Sequence, residues 1–365
     1  MRSLIFLNDN IPSHTTMRGV TRYFRHITDG LIERFGERVL VYTSDQRDFG
    51  AARCWRAIRF KGTRRLGLHD ALASLAAWRV QPALLYCPYF GATRTRAPEI
   101  FTIYDTLTEE NARAVDPRGW RGWRYVAETR RCLERAAAIL AISHSTARDV
   151  QTLYPHLPTE KFTVTLLGVD PFFFERPTTS TTSTAERPYI LYIGERAGHK
   201  NFINALKAFA HSGLAREFDL RVHSRLTAWE ADEAAILRQF HLQNRVQLRP
   251  PVGEVELRAA YTSAAALVYS SLQEGFGLPI LEALASGTLI AASNVSALPE
   301  VGGDVAYYFD PREPEAIAAT LRQIIALPSA DRQARIERGI THARAFTWAR
   351  CQQQTVRVFQ QALGE

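Results

Sequence analysis

Short apolar runs alternate with helix-spaced stretches along most of the chain. In the first half the runs are "SLIFLN" (3–8), "RVLVYT" (38–43), "PALLYC" (82–87), "IFTIYD" (100–105) and "AAILAIS" (137–143). A continuous apolar run suits a strand covered on both faces, and such strands alternating with helices predict a parallel, doubly wound α/β sheet. Residues 171–188, "PFFFERPTTSTTSTAERP", break the pattern with Thr and Ser between prolines and read as an exposed linker. A second series follows in "YILYIG" (189–194), "LRVHS" (220–224), "VQLRP" (246–250), "AALVYS" (265–270), "TLIAAS" (288–293) and "VAYYFD" (305–310). The expectation is two domains of one kind, residues 1–170 and 189–347, with the linker between them. Sheets of this type receive ligands at the carboxyl ends of their strands, so chemistry is expected in a cleft between the domains.

Composition narrows the ligand. The 365 residues are 46% hydrophobic and 22% charged, ordinary for two cores of normal size. Lys and Arg exceed Asp and Glu by eight, which suits phosphates, nucleic acid or an acidic membrane face. Cys54, Cys87, Cys132 and Cys351 show neither disulfide nor zinc spacing, so a reducing compartment is expected. The opening apolar run is too short for a signal peptide and no 18-residue apolar stretch follows, which implies a cytoplasmic protein or one lying on a membrane surface.

The densest chemistry lies in "VYSSLQEGFGLPILEALASGTLIAASN", residues 268–294. A buried strand leads into a loop, Pro279 stands where a first helical turn would begin, and Gly287 closes the helix. No Ser, Thr, Asp or Asn caps that start, so its N–H groups, with those of Gly275, Phe276, Gly277 and Leu278, are available to an anion. Gly275 and Gly277 let a ligand approach the backbone. Glu274 and Glu282 are poor phosphate partners but good acceptors for adjacent hydroxyls. Diphosphate flanked by polyols describes a nucleotide sugar.

A second cluster, "YIGERAGHKNF" (192–202), ends a strand at the same sheet edge with Arg196 and Lys200. A guanidinium fork and an ammonium there would stabilise a leaving diphosphate without a metal, for which the chain has no Asp-x-Asp signature. From the first domain, Gly19 at a helix start faces the cleft.

These segments, with "RGVTRY", "AISHSTARDV", "TLLGVD", "SNVSALPEVGGDVAYYFDP" and "FTW", resemble a retaining glycosyltransferase of the GT-B fold, the Glu-x7-Glu type often called family 4. The resemblance covers most of the chain and is more specific in its second half. It implies two Rossmann-like domains, with a last helix from about residue 348 packed on the first. It also implies Glu274 on sugar hydroxyls, Glu282 on the ribose diol, and Arg196, Lys200 and the backbone of Gly277 and Leu278 on the diphosphate, with Gly19 close by. Glu274, Arg196, Lys200 and Asp105 are the expected catalytic group. Tyr104 stands beside Asp105 where relatives carry histidine, and both are expected acceptor or sugar contacts. Arg18 precedes Gly19 where relatives show Gly-Gly, and "VHSRL" replaces a Gly-rich turn.

The implied activity is hexosyl transfer with retention, without cofactor, from a nucleotide-diphosphate sugar to a glycan or lipid-linked saccharide. GDP-mannose is the first guess because "IGERAGHKNF" is similar to enzymes of polysaccharide and O-antigen assembly. A non-catalytic binder of nucleotide sugars or nucleic acid, and a GT-B-shaped epimerase, stand as alternatives, although no nucleic-acid partner is expected. No Gly-x-Gly-x-x-Gly follows either first strand, which disfavours a dinucleotide dehydrogenase. Ser143 reads as a helix cap. Within "DPRGWRGWRYVAETRRCLERAAA" (116–138), Arg121, Arg124, Arg131 and Arg135 share one helix side. That side reads as a solvated face or as a weak contact, through residues 118–135, with the inner face of an anionic membrane carrying a polyprenyl-diphosphate-linked acceptor.

Overall fold

The structure is a computed structural model that describes residues 4–9, 11, 18–43, 49, 52–56, 66–89, 91, 93–107, 120–175, 187–196 and 198–365. The chain divides into two compact units, residues 1–168 with 348–365, and residues 169–347.

The first unit holds β1 (Ile5–Asn8), β2 (Val39–Thr43), β3 (Arg53–Arg56), β4 (Leu84–Cys87), β5 (Glu99–Ile103), β6 (Ala136–Ala141) and β7 (Phe162–Val164). They form one parallel sheet in the order β3-β2-β1-β4-β5-β6-β7. Every residue of β1, β2, β4 and β5 is buried, as layers on both faces require. The strands β3 and β7 carry no apolar run in the sequence because they are edges, paired on one side only.

Helices α1 (Arg18–Phe35), α2 (Leu66–Val80), α3 (Trp120–Arg135) and α4 (His144–Leu153) connect these strands. Ala73 and Ala77 of α2, Cys132 and Leu133 of α3 and Val150 of α4 share one core with Phe6, Leu85, Phe101 and Ile139. Ser143 caps α4, its Oγ accepting the Thr146 N–H at 3.0 Å.

The second unit holds β8 (Tyr189–Ile193), β9 (Asp219–His223), β10 (Val246–Arg249), β11 (Ala266–Tyr269), β12 (Ile290–Ser293) and β13 (Tyr307–Phe309). They pair in parallel in the order β10-β9-β8-β11-β12-β13. Its helices are α5 (Phe202–His211), α6 (Ala231–Gln239), α7 (Glu254–Thr262), α8 (Leu278–Ala285), α9 (Leu298–Gly302), α10 (Pro314–Ile325) and α11 (Ser329–Ala343). Each sheet starts in its middle and winds outward both ways, so strand order reverses between β1 and β4 and between β8 and β11. At such a reversal an open sheet carries its ligand crevice, at the carboxyl ends of the strands.

The final helix, α12 (Trp348–Leu363), belongs to the first unit. Trp348 stacks on His26 of α1 with ring centroids 4.1 Å apart, and Gln352 Nε2 donates to the His26 carbonyl at 2.7 Å. Gly30 makes this approach feasible, since a Cβ there would lie 2.8 Å from Gln352 Cγ. Residues 171–174 differ from the linker reading. They form a 3₁₀ turn whose Phe173 is fully buried, its ring 6.2 Å from Tyr261. Three consecutive phenylalanines gain more from a core than from water. The Thr/Ser stretch, 176–186, lies outside the described residues.

Candidate active site

Two loops line the crevice of the second sheet, one leaving β8 and one leaving the adjacent β11. Their backbones are stitched together. The Leu272 N–H donates to the His199 carbonyl at 2.7 Å, and Ser270 Oγ donates to the carbonyls of Lys200 and Asn201, both at 3.2 Å. Asn201 Nδ2 donates to the carbonyls of Ser270 at 3.0 Å and Pro311 at 2.7 Å. With φ +54°, Asn201 adopts the left-handed conformation that asparagine tolerates, turning the chain into α5 directly after Lys200. Sequence reasoning missed Asn201, although an asparagine opening a helix beside a site lysine is a readable signal.

Lys200 is held against Glu274. Its Nζ forms an ion pair with Glu274 Oε1 and lies 3.4 Å from the Tyr269 hydroxyl. The same Oε1 accepts hydrogen bonds from Tyr269 at 2.9 Å and Ser271 at 2.6 Å. Burial alone would raise the Glu274 carboxyl, but the Lys200 charge and these hydrogen bonds outweigh it and hold the group below the usual carboxylate range. Burial and that same carboxylate drive the Tyr269 phenol well above its ordinary value. His199 is held low by burial and by the Lys200 charge, which outweigh the Glu274 attraction. Tyr269 and Ser271 were also missed, since neither has a motif of its own.

Helix α8 opens at Gly277, whose φ of +107° a side chain would strain, and no side chain caps it. A Cβ on Gly277 would lie 2.8 Å from Leu298 Cδ2. At the other end Gly287, φ +80°, lets its N–H reach the Leu284 carbonyl at 3.1 Å and the Thr288 N–H reach that of Ala283 at 2.9 Å. Those two bonds satisfy the last carbonyls and stop the helix. Glu282, buried between these ends, accepts the Tyr261 hydroxyl at 3.1 Å.

The Arg196 side chain lies elsewhere than expected. The Arg196 side chain is fully buried and paired with Glu233 of α6. Its guanidinium donates to the carbonyls of Leu226, at 3.3 Å, and Ala228, and lies 5.0 Å from the centre of the Trp229 ring. A guanidinium so deep needs a carboxylate and carbonyls around it, so Arg196 ties the loop after β9 to the loop after β8 and is not gathered at Glu274. Phe276 is buried with its ring 6.3 Å from Phe346, leaving only its backbone for a ligand.

In the first unit, Gly19 is exposed as the second residue of α1. The Tyr104 ring meets Tyr23 edge-on with centroids 5.6 Å apart, and among the described residues its buried hydroxyl has no hydrogen-bond partner. Asp105 Oδ1 accepts the Leu107 N–H at 3.0 Å in the turn after β5. The side chains of Arg18, Arg121 and Arg124, and residues 118–119, lie outside the described residues. Arg131 is half-buried, while Arg135 is exposed and its Nη2 donates to the Thr95 carbonyl at 3.3 Å.

Two doubly wound parallel sheets, a closing helix returned to the first unit, and an uncapped helix start beside a lysine–carboxylate pair define the GT-B class. The chain is similar in fold to sucrose-phosphate synthase from Thermosynechococcus elongatus, with a TM-score of 0.79 at 16% identity over 100% of both chains. Its residues 17–172 match the profile of Glycosyltransferase Family 4 and residues 176–342 that of Glycosyl transferases group 1. The chain belongs to this glycosyltransferase family. It is 30% identical over 237 residues to O-antigen chain mannosyltransferase B of Escherichia coli, covering 62% of this chain and 61% of that protein. It is 26% identical over 279 residues to the MMP alpha-(1->4)-mannosyltransferase of Mycolicibacterium hassiacum, covering 73% and 66%. The matched region thus spans less than two thirds of each relative's length.

Proposed function

We propose that the protein transfers mannose from GDP-mannose to a saccharide acceptor carried on a polyprenyl diphosphate, with retention at the anomeric carbon, in polysaccharide or O-antigen assembly at the inner face of the cytoplasmic membrane. The observation that carries the reading is the Lys200–Glu274 pair beside the uncapped start of α8. In this reading the donor's diphosphate lies on Lys200 and the amides of Gly277 and Leu278, with Gly19 near it, and no metal is needed to offset the leaving charge. Glu274 takes sugar hydroxyls and Glu282 the ribose diol. Tyr104 and Asp105 meet the sugar or the acceptor. The leaving phosphate itself helps deprotonate the acceptor. The names of the two mannosyltransferase relatives favour mannose and, for one of them, an O-antigen chain.

Thermal shift with a panel of nucleotide sugars tests the donor. GDP-mannose at 100 times its dissociation constant should add about 2.7 kcal/mol of stability. Product made from that donor should keep its anomeric configuration by NMR, and EDTA should leave the rate unchanged. An inverted product, a different stabilising donor or EDTA-abolished turnover would overturn the corresponding part of the reading.

A further inference from the structure

The outward side of α2 is apolar where a solvated helix would be polar. Between Asp70 and Arg79 it reads "ALASLAAW", with Ser74 the one polar residue. Ser74 is turned aside, its Oγ accepting the Arg94 N–H at 2.8 Å and donating to the Asp70 carbonyl at 2.6 Å. Ala73 and Ala77 enter the core. Leu75 and Trp78, neighbours one turn apart, are 61% and 70% exposed. Single exposed apolar residues are ordinary, but here two large ones adjoin.

Their surroundings are cationic. Trp78 shares a cavity of about 640 Å³ with Arg94, Thr95, Arg96 and Pro98. Arg79 follows Trp78 directly, and the Arg135 bond to the Thr95 carbonyl brings the end of α3 to the same rim. Arg79, Arg94, Arg96 and Arg135 are all exposed, and among the described residues none forms an ion pair with a carboxylate. The segments involved lead into the starts of β4, β5 and β6, so this surface lies at the sheet edge opposite Tyr104 and Asp105.

We propose that this face docks on a bilayer containing anionic lipid, with Trp78 and Leu75 entering the headgroup layer and the arginines meeting lipid phosphates. Tryptophan favours that boundary, and guanidinium forks match phosphodiesters. A soluble anion would engage the arginines and leave the protruding Leu75 and Trp78 in water. A lipid surface accommodates both. The described docking surface is the outer side of α2 with the loop 94–98 and the end of α3. It stands whatever sugar the protein transfers.

Flotation of the full chain with phosphatidylcholine vesicles, with and without about one third phosphatidylglycerol, tests it at low and high salt. Binding should require the anionic lipid and fall with salt. Leu75→Ser with Trp78→Ser should reduce partitioning at least about tenfold, and Arg94→Gln with Arg96→Gln about 25-fold, fivefold for each charge. Arg121→Gln with Arg124→Gln should change it little. All four patch residues are exposed, and unchanged melting temperatures would confirm that the variants fold. Absence of wild-type binding, or full binding by the Leu75/Trp78 variant, overturns the proposal. So does Arg94-dependent stabilisation by glycerol phosphate without vesicle binding, which would mean a soluble-anion site. Self-association in lipid-free gel filtration that disappears in the Leu75/Trp78 variant would point instead to a second copy. Transfer to a water-soluble acceptor, measured alongside, tests the proposed function separately.

Discussion

Lys200 and Glu274, 74 residues apart, form an ion pair on a carboxylate oxygen that already accepts hydrogen bonds from Tyr269 and Ser271. All these donors converge on Oε1, and among the described residues Oε2 takes none. One oxygen thus fixes the side chain, and the proposed reading assigns the other to a sugar hydroxyl.

Removing the lysine should therefore be felt twice. Lys200→Ala is expected to lower kcat by about 10²- to 10³-fold, the usual cost of losing one group that meets charge developing in the transition state. It should also raise the Glu274 pKa, because burial is then opposed by hydrogen bonds alone. A pH–rate profile of the variant should show its acid limb shifted upward. An unchanged limb with full kcat would remove Lys200 from the site.

Glu274 also links stability to acidity. Its folded pKa lies below the unfolded value, so its contribution is fully present above about pH 4.3 and is lost as pH falls through the folded value. Urea unfolding of Glu274→Gln should be weaker than wild type at pH 7, with the difference shrinking under acid. A pH-independent difference would contradict the pairing.

Arg196 should behave as a structural residue. Arg196→Leu leaves the Glu233 carboxyl buried without its cation and is expected to cost about 3–5 kcal/mol in equilibrium denaturation. Arg196→Met combined with Glu233→Leu should regain most of that stability and most of the turnover. Restored stability with kcat still down by orders of magnitude would return Arg196 to the diphosphate.

Tyr104→Phe separates stability from chemistry. The hydroxyl lacks a partner among the described residues, so its removal should change stability by less than about 1 kcal/mol. If the hydroxyl meets sugar or acceptor, kcat/KM should fall about tenfold, the worth of one such hydrogen bond. Equal activity would leave Tyr104 as packing for Tyr23.

Much of this protein is written locally. Strands buried on both faces demand continuous apolar runs, so the inner strands of both sheets are legible, whereas β3 and β7 are edges and need none. The loop-to-helix start at Gly277 is legible too, because its glycines, Pro279 and missing cap act within one turn of backbone. Which side chains meet there is a different kind of fact. Arg196 and Lys200 leave the same loop with equal charge, and nothing near them in the chain says that one turns inward. Glu233, 37 residues on, and the carbonyls of Leu226 and Ala228 capture Arg196. Lys200 goes to Glu274 because parallel pairing of β8 with β11 brings those two loops to one edge, and Asn201 locks the turn. A side chain's electrostatic partner depends on which strands become neighbours, and only the folded sheet decides that.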